Sequence, residues 1–413
     1  MLTQAILLFY GTQLFPPGGK LDKLRFVCYG LIILAGLLLS PKFKFKKPKW
    51  LDFIALVVLV FAFVSSYYSF DPKTTLLRST ANLLMYFSIF WVLWVSCRNP
   101  SVVHKYLRAL IFIWVFFYGV NVAFLFFRPQ DSFLVYEGEL AIFDYKRFNG
   151  VTINPNAIGL FSAIIFPVVL WNFRYRKSLL SLFLLIAVVF SFFYSFSRDA
   201  FICSVLGSSI YFYLSMRTHR TFIIVYAFFS ILLMVIYIEL FGLFLPIGLV
   251  RADSLMLLGG RVEAWQAALE LIRAHPWRGY GFGIEEFLFE RFRYVFEVHS
   301  GGTVHNSFLG LVLQIGWIPP FILYLALIIF LVKSFLKILR LDSEFQPLIS
   351  ALYASIFSGF LISFFESWIY AAGGILAFPF FIFIMLFMRL LEFEKDMTKS
   401  SKSNLLHSIE LSA

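Results

Sequence analysis

Residues 106–127 read YLRALIFIWVFFYGVNVAFLFF, an apolar run in which Arg108 is the single charge. A helix needs about 20 mostly apolar residues to cross the hydrocarbon core of a bilayer. Run after run along the chain meets that length. The 413 residues are 61% hydrophobic and 20% aromatic, with a mean hydropathy of +0.85, which is more apolar surface than a soluble core can hide. The pattern is one of continuous apolar runs rather than the short alternating segments of a barrel. The sequence therefore predicts an all-α integral membrane protein. Met1 leads straight into an apolar stretch with no basic region and no small-residue cleavage site, so the first segment is expected to be retained.

Outward from that run, apolar stretches bounded by charge or turn residues give about twelve transmembrane helices. They fall near 2–15, 24–40, 51–70, 79–97, 106–127, 156–173, 178–196, 199–216, 221–240, 304–338, 345–365 and 371–391. The tenth is too long for one straight span, and the Gly316 to Pro320 stretch is expected to break it into a short helix and the true span. Lys and Arg concentrate in the short loops Lys42–Lys49, Arg98–Lys105, Arg174–Lys177, Arg217–Arg220 and Lys333–Arg340 and in the tail from Lys395. All of these lie on one side if twelve spans hold, and that side is expected to be cytoplasmic. The division is then 1–240 for spans one to nine, 241–303 for a long extracytoplasmic loop with amphipathic helices, 304–394 for spans ten to twelve, and 395–413 for a polar tail read as disordered. The net charge of +12 is accounted for by these topology determinants, so no nucleic-acid partner is expected. Cys28, Cys97 and Cys203 lie in or beside apolar segments without metal-ligand spacing and read as packing residues.

The outer loop is more specific. It contains GGRVEAWQAALELIRAHPWRGYGFG, residues 259–283, in which Val262, Trp265, Leu269 and Ile272 recur at helical spacing until Pro276 ends the pattern. A second helix is expected at Ile284 to Val298. Between 241 and 302 stand six arginines (Arg251, Arg261, Arg273, Arg278, Arg291 and Arg293) and no lysine, although lysine dominates the cytoplasmic loops. Arginine offers a rigid fork of donors that fits phosphate and carboxylate oxygens. Pairing with the loop's own acids is the plain alternative, with Arg273 and Glu270 the obvious pair. Arg261 follows Gly259-Gly260 at a helix start, where free N–H groups and the positive end of the dipole favour an anion such as a diphosphate.

Arg198, in YSFSRDAF, lies at the outer mouth of a tight hairpin or just inside the bilayer, where a charge is costly and marks a functional candidate. Its alternative is local pairing with Asp199 and snorkelling. Arg147, in KRFNGVTINPN, is a third member, and the NPN turn after it reads as a helix start capped by Asn154 or Asn156. His305, where the loop re-enters the apolar phase, can take a proton from an acceptor hydroxyl without a metal. No acidic or histidine motif of the metal-binding kinds stands on that face, and no cofactor is expected. Asp199 and Glu366 carry no assigned role at this level.

Taken in order, RFNGVTINPNAIG (147–159), FSRDAF (196–201), the 259–283 stretch and HNSFLGLVLQIGW (305–317) resemble the O-antigen ligase and O-antigen polymerase superfamily of bacterial envelope glycan enzymes. Each motif is weak alone. Their order and their placement on one face make the set specific, although IPP after Trp317 departs from the small residues usual there. The resemblance implies twelve spans, a periplasmic loop folded over the active site, and metal-independent transfer from a polyprenyl (undecaprenyl) diphosphate glycan donor to a glycan or lipid acceptor at the outer face of the cytoplasmic membrane. By that likeness His305 corresponds to the catalytic histidine, and Arg261 and Arg198 to the arginines that hold the diphosphate. Ligase and polymerase are not separated by it, and ligation to lipid A-core is the leading expectation. From another class, a lipid-linked sugar flippase or transporter also fits twelve spans, but such proteins place ionisable groups near mid-bilayer. Here the polar groups collect at one face.

Overall fold

A computed structural model describes residues 6, 8–9, 12–13, 24–39, 49–136, 145–216, 221, 224, 261–294 and 302–410. Most of the expected spans at 221–240 and 2–15, residues 241–260 and 295–301, and with them Arg251 and His299, lie outside the described residues.

The chain is mostly helical. Among the described residues, seven helices precede the long loop: α1 Leu24–Leu39, α2 Trp50–Val64, α3 Pro72–Phe87, α4 Pro100–Phe127, α5 Pro155–Arg176, α6 Leu179–Tyr194 and α7 Arg198–Ser215. α3 continues through a π-helical turn, Ser88–Leu93, to Ser96. After the loop's α8 Arg261–Ala274 and α9 Glu285–Arg291 come α10 Ser307–Ile315, α11 Ile318–Leu339, α12 Gln346–Ile362 and α13 Ala377–Glu410. Among the described residues, five helices are long and apolar enough to cross a membrane: Trp50–Tyr67, Pro72–Ser96, Pro100–Phe127, Pro155–Arg176 and Ile318–Leu339. Shorter apolar helices stand at Val27–Leu38, Leu179–Tyr194 and Gln346–Ile362.

Local chemistry sets where the helices begin. Three of them start on the same device, a side-chain cap followed by proline at the first helical position: Asp71-Pro72, Asn99-Pro100 and Asn154-Pro155. The cap oxygen takes a backbone N–H that has no partner inside the helix, and proline has none to lose. Of the two asparagines considered for the NPN turn, Asn154 is the cap, accepting from the Asn156 N–H at 2.8 Å. The long apolar run 304–338 divides at Gly316-Trp317 as expected, α10 ending where Gly316 takes φ +78°.

The densest packing joins α5, α6, α7 and α12, with α13 laid against α12. Small residues let these helices approach: Gly207 faces Ser358 and Pro167, Gly359 lies against the Phe380 ring, and the Ser358 hydroxyl donates to the Cys203 carbonyl at 3.1 Å. Between helices in lipid, such close packing and hydrogen bonding replace the hydrophobic drive available in water.

The structure departs from the sequence reading at three places. Phe133–Tyr136 and Tyr145–Phe148 form an antiparallel pair, β1 and β2, among described residues that are mostly helical; both segments are rich in aromatic residues, which suit a pleated surface. The second loop helix is shorter than expected and ends at Arg291. In α8 the buried face is Ala264, Ala267, Ala268, Leu271 and Ile272, whereas Leu269 is exposed; the alanines, not the bulkier side chains, permit close contact with α10.

The GYGFG stretch fastens the loop to the membrane helices through its backbone. Tyr280 and Gly281 donate to the carbonyls of Leu313 and Gln314 at 3.1 and 2.9 Å, Phe70 donates to the Tyr280 carbonyl at 3.2 Å, and Phe282 donates to the Ser65 hydroxyl at 3.0 Å. Gly279 sits at φ +65°, and a Cβ there would stand 2.6 Å from the Ile315 nitrogen. Backbone cannot yield as a side chain can, so Gly279→Ala should destabilise the protein by roughly 2–4 kcal/mol. Thermal unfolding in detergent, followed by size-exclusion chromatography, checks this; an unshifted midpoint would show that the loop does not lie on α10 as described.

Candidate functional site

Four side chains from distant parts of the chain meet at the loop-facing ends of the helices. Asp199 stands in the first turn of α7, where the positive end of the helix dipole favours a carboxylate. Arg261 opens α8. His305 lies in the turn before α10, and Glu366 follows α12. The Arg261 Nη2 donates to Asp199 Oδ2 at 2.6 Å and to Glu366 Oε1 at 3.1 Å. The second oxygen of Glu366 meets His305 Nδ1 at 2.9 Å. All four side chains are mostly buried, at 14–17% exposure, so each charge depends on its partner.

An ionised carboxylate only accepts, so Nδ1 of His305 carries the proton in this contact, and in the neutral form of the ring Nε2 presents its lone pair. Nε2 lies 3.3 Å from the Thr303 hydroxyl. His305 itself is held at φ +52°, a left-handed conformation uncommon for residues with a side chain and characteristic of over-determined functional positions.

The over-determination is visible in the hydrogen bonds of residues 304–307. Ser307 donates its N–H to the Ser363 carbonyl at 2.7 Å and its hydroxyl to the Glu366 carbonyl at 2.6 Å, while its oxygen accepts from Trp368 N–H at 3.0 Å. Asn306 donates its N–H to Ser367 Oγ at 3.2 Å, and its side chain caps α10 through the Leu309 N–H at 3.0 Å. The HNS triplet thus stitches the segment carrying His305 to the one carrying Glu366.

Burial pushes the Glu366 carboxyl up, but the hydrogen bond and charge of His305 and those of Arg261 outweigh it and hold the group below its ordinary value. Glu285 is a second buried acid near by, accepting from Val304 N–H, Gln314 Nε2 and the Tyr370 hydroxyl. There burial dominates over the bonds from Tyr370, Val304 and Gln314, and the carboxyl is pushed up.

Of the residues singled out from the sequence, His305 and Arg261 come together through Glu366. The anion expected at the start of α8 is supplied by the protein's own Asp199 and Glu366. Arg198 is the first residue of α7, adjacent to Asp199, and is half-buried. Arg147 is buried: its Nε donates to the Ser195 carbonyl at 2.8 Å and its Nη2 to Asn156 Oδ1. It thereby fixes the corner between α6 and α7, where Phe196 takes φ +49° just before Arg198. The expected Arg273–Glu270 pair does not form among the described residues; Glu270 instead accepts from the Tyr294 hydroxyl at 3.0 Å. Sequence reasoning passed over Asp199 and Glu366. Glu366 had a signal, since it is the single acidic residue between Glu344 and Glu392, and an isolated carboxylate in apolar sequence marks a candidate site.

A family model described as O-antigen ligase matches residues 180–325, a stretch that holds Asp199, Arg261 and His305 and stops short of Glu366. The match supports membership of the O-antigen ligase and polymerase superfamily. No curated protein matches the chain.

A group whose value is lowered by folding stabilises the protein above its ordinary pKa, and that contribution is lost as pH falls through the lowered value. Glu366→Gln should therefore lower stability by roughly 1.5–3 kcal/mol near neutral pH, as for hydrogen bonds to charged groups. The gap from wild type should shrink as the pH falls below the carboxyl's ordinary 4.5. Thermal midpoints of both proteins across pH in detergent measure it, and a gap that widens on acidification would contradict the assigned charges.

Proposed function

We propose, taking membership of the O-antigen ligase and polymerase superfamily as the premise, that this membrane glycosyltransferase moves a glycan from polyprenyl (undecaprenyl) diphosphate to a hydroxyl acceptor. The reaction is placed on the outer face of the bacterial cytoplasmic membrane. The observation that carries the reading is the run of contacts from Arg261 through Glu366 to His305, which sets a cation for a departing anion beside an imidazole oriented by a carboxylate.

The acceptor hydroxyl gives its proton to His305 Nε2 as its oxygen bonds to the anomeric carbon. The bond from that carbon to the diphosphate oxygen breaks, and its electron pair leaves with the polyprenyl diphosphate. Glu366 holds the imidazole in the tautomer that can act as a base and stabilises the imidazolium that forms. Arg261 and Arg198 offset the charge that develops on the leaving diphosphate. In the structure Arg261 is occupied by two carboxylates, so the diphosphate takes its place in competition with Asp199 and Glu366. Arg147 acts by holding the corner that presents Arg198. One displacement with the base opposite the leaving group inverts the anomeric centre.

Lipid A-core is the acceptor assigned to a ligase and another lipid-linked glycan that of a polymerase. Purified protein given a polyprenyl-diphosphate oligosaccharide and each acceptor, in EDTA, tests both; no product with either would sink the reading. In the same assay His305→Ala should lose on the order of 10²–10⁴ in rate with donor binding kept. Arg261→Lys should lose most activity, because a point charge cannot reproduce a bidentate grip. Wild-type turnover in either variant would remove that residue from the mechanism.

The outer placement rests on the Lys/Arg-rich short loops. A cysteine replacing the exposed Glu290 should react with an impermeant thiol reagent in intact spheroplasts. Labelling only after lysis would reverse the orientation.

A further inference from the structure

Glu285 is 4% exposed, lies on the loop helix α9, and takes no part in the chemistry above. Its partners are drawn from three separate segments. Oε2 accepts from the Val304 N–H at 3.2 Å, immediately before His305. Oε1 accepts from Gln314 Nε2 at 2.6 Å, on α10, and from the hydroxyl of Tyr370, four residues after Glu366. Gln314 is locked in its turn, since its Oε1 accepts from the Gly283 N–H at 2.6 Å. Gly310 makes room for the arrangement: a Cβ there would run into Tyr370 Oη and Glu285 Oε1.

We propose that Glu285 is a positioning residue for the transfer reaction: its carboxyl fixes Val304, and with it the left-handed backbone of His305, in register with the Glu366 segment anchored through Tyr370. This rests on the assignment of His305 as the base. The loop thereby holds both halves of the His305–Glu366 contact from one side chain, while Ser307 and Asn306 hold them from the other.

The bonding pattern dictates which substitutions the site accepts. Glu285→Gln keeps the size, and the carbonyl oxygen of the new amide can still serve Val304. Its amide nitrogen then faces the Gln314 amide nitrogen, two donors together, and Gln314 cannot turn over without losing the Gly283 N–H. The conflict holds whether Glu285 is ionised or protonated, because a carboxyl hydroxyl can donate to Tyr370 and still accept from Gln314, whereas an amide nitrogen cannot accept. Exchanging the two residues removes the conflict. In Glu285→Gln/Gln314→Glu the carboxylate introduced on α10 accepts both from the Gly283 N–H and from the amide introduced on α9, and Tyr370 turns to accept.

The test compares wild type, Glu285→Gln, the exchange variant and Tyr370→Phe as purified full-length proteins. Glu285→Gln should lose roughly 10–100-fold in kcat, the usual consequence of loosening the support of a catalytic group, with KM for the donor within about threefold. The exchange variant should regain most of that loss, and Tyr370→Phe should show a smaller loss of the same kind. A readout independent of turnover is the rate at which diethylpyrocarbonate modifies His305, followed by mass spectrometry. That rate should change in Glu285→Gln and return in the exchange variant. Unchanged His305 reactivity in a folded Glu285→Gln protein would overturn the proposal, as would a kcat loss that the exchange fails to recover while thermal stability recovers. Absence of transfer by wild type would instead overturn the glycosyltransferase reading, and the His305 reactivities would still decide the positioning role.

Discussion

Arg261 bridging Asp199 and Glu366 is the contact on which the rest of the site depends. A guanidinium this far from water is tolerable only with anions beside it, and stranding either partner costs on the order of 3–5 kcal/mol. The bridge joins α7, α8 and the segment after α12 through one nitrogen. It ties the long loop to two of the tightly packed central helices. The same carboxylate that completes it also sets the proton on His305.

This sharing has a chemical consequence. Arg261 and His305 are coupled through Glu366, so an anion that draws Arg261 away also alters the field at the imidazole. A donor diphosphate entering the site would relieve Glu366 of one cation and leave its negative charge more fully directed at His305, which strengthens the base. In the proposed reaction, binding of the leaving group and readiness of the base would then be parts of one electrostatic arrangement. It costs little reorganisation, because the backbone around it is stitched by Ser307, Asn306 and Glu285.

The motifs divide their work between chemistry and geometry. In HNSFLG, His305 carries the proposed chemistry, Asn306 caps α10, Ser307 binds the Glu366 segment, and Gly310 leaves space for Glu285 and Tyr370. In RGYGFG the alternating glycines let the backbone lie against the end of α10. Arg147, read from the sequence as a diphosphate ligand, bonds to Ser195 and Asn156, and the turn after it begins a helix as its NPN pattern suggested. A pattern of residue types marks a place as special but does not say whether the reason is a ligand or a corner.

By itself the sequence determined the membrane class, the helix start at the Asn154-Pro155 turn, the break at Gly316, and the candidacy of His305 and Arg261. These follow from local quantities: apolar length against bilayer thickness, capping chemistry, and the incompatibility of lone charges with apolar surroundings. Only the tertiary structure decided that Glu366 belongs to the site, that Asp199 pairs with Arg261 across 62 positions, and which face of α8 is buried. The reason is physical. A pair between distant residues leaves no periodic trace in sequence, because it is set by where packed helices bring their ends, and the fit of alanines against α10 is a property of two surfaces and not of one.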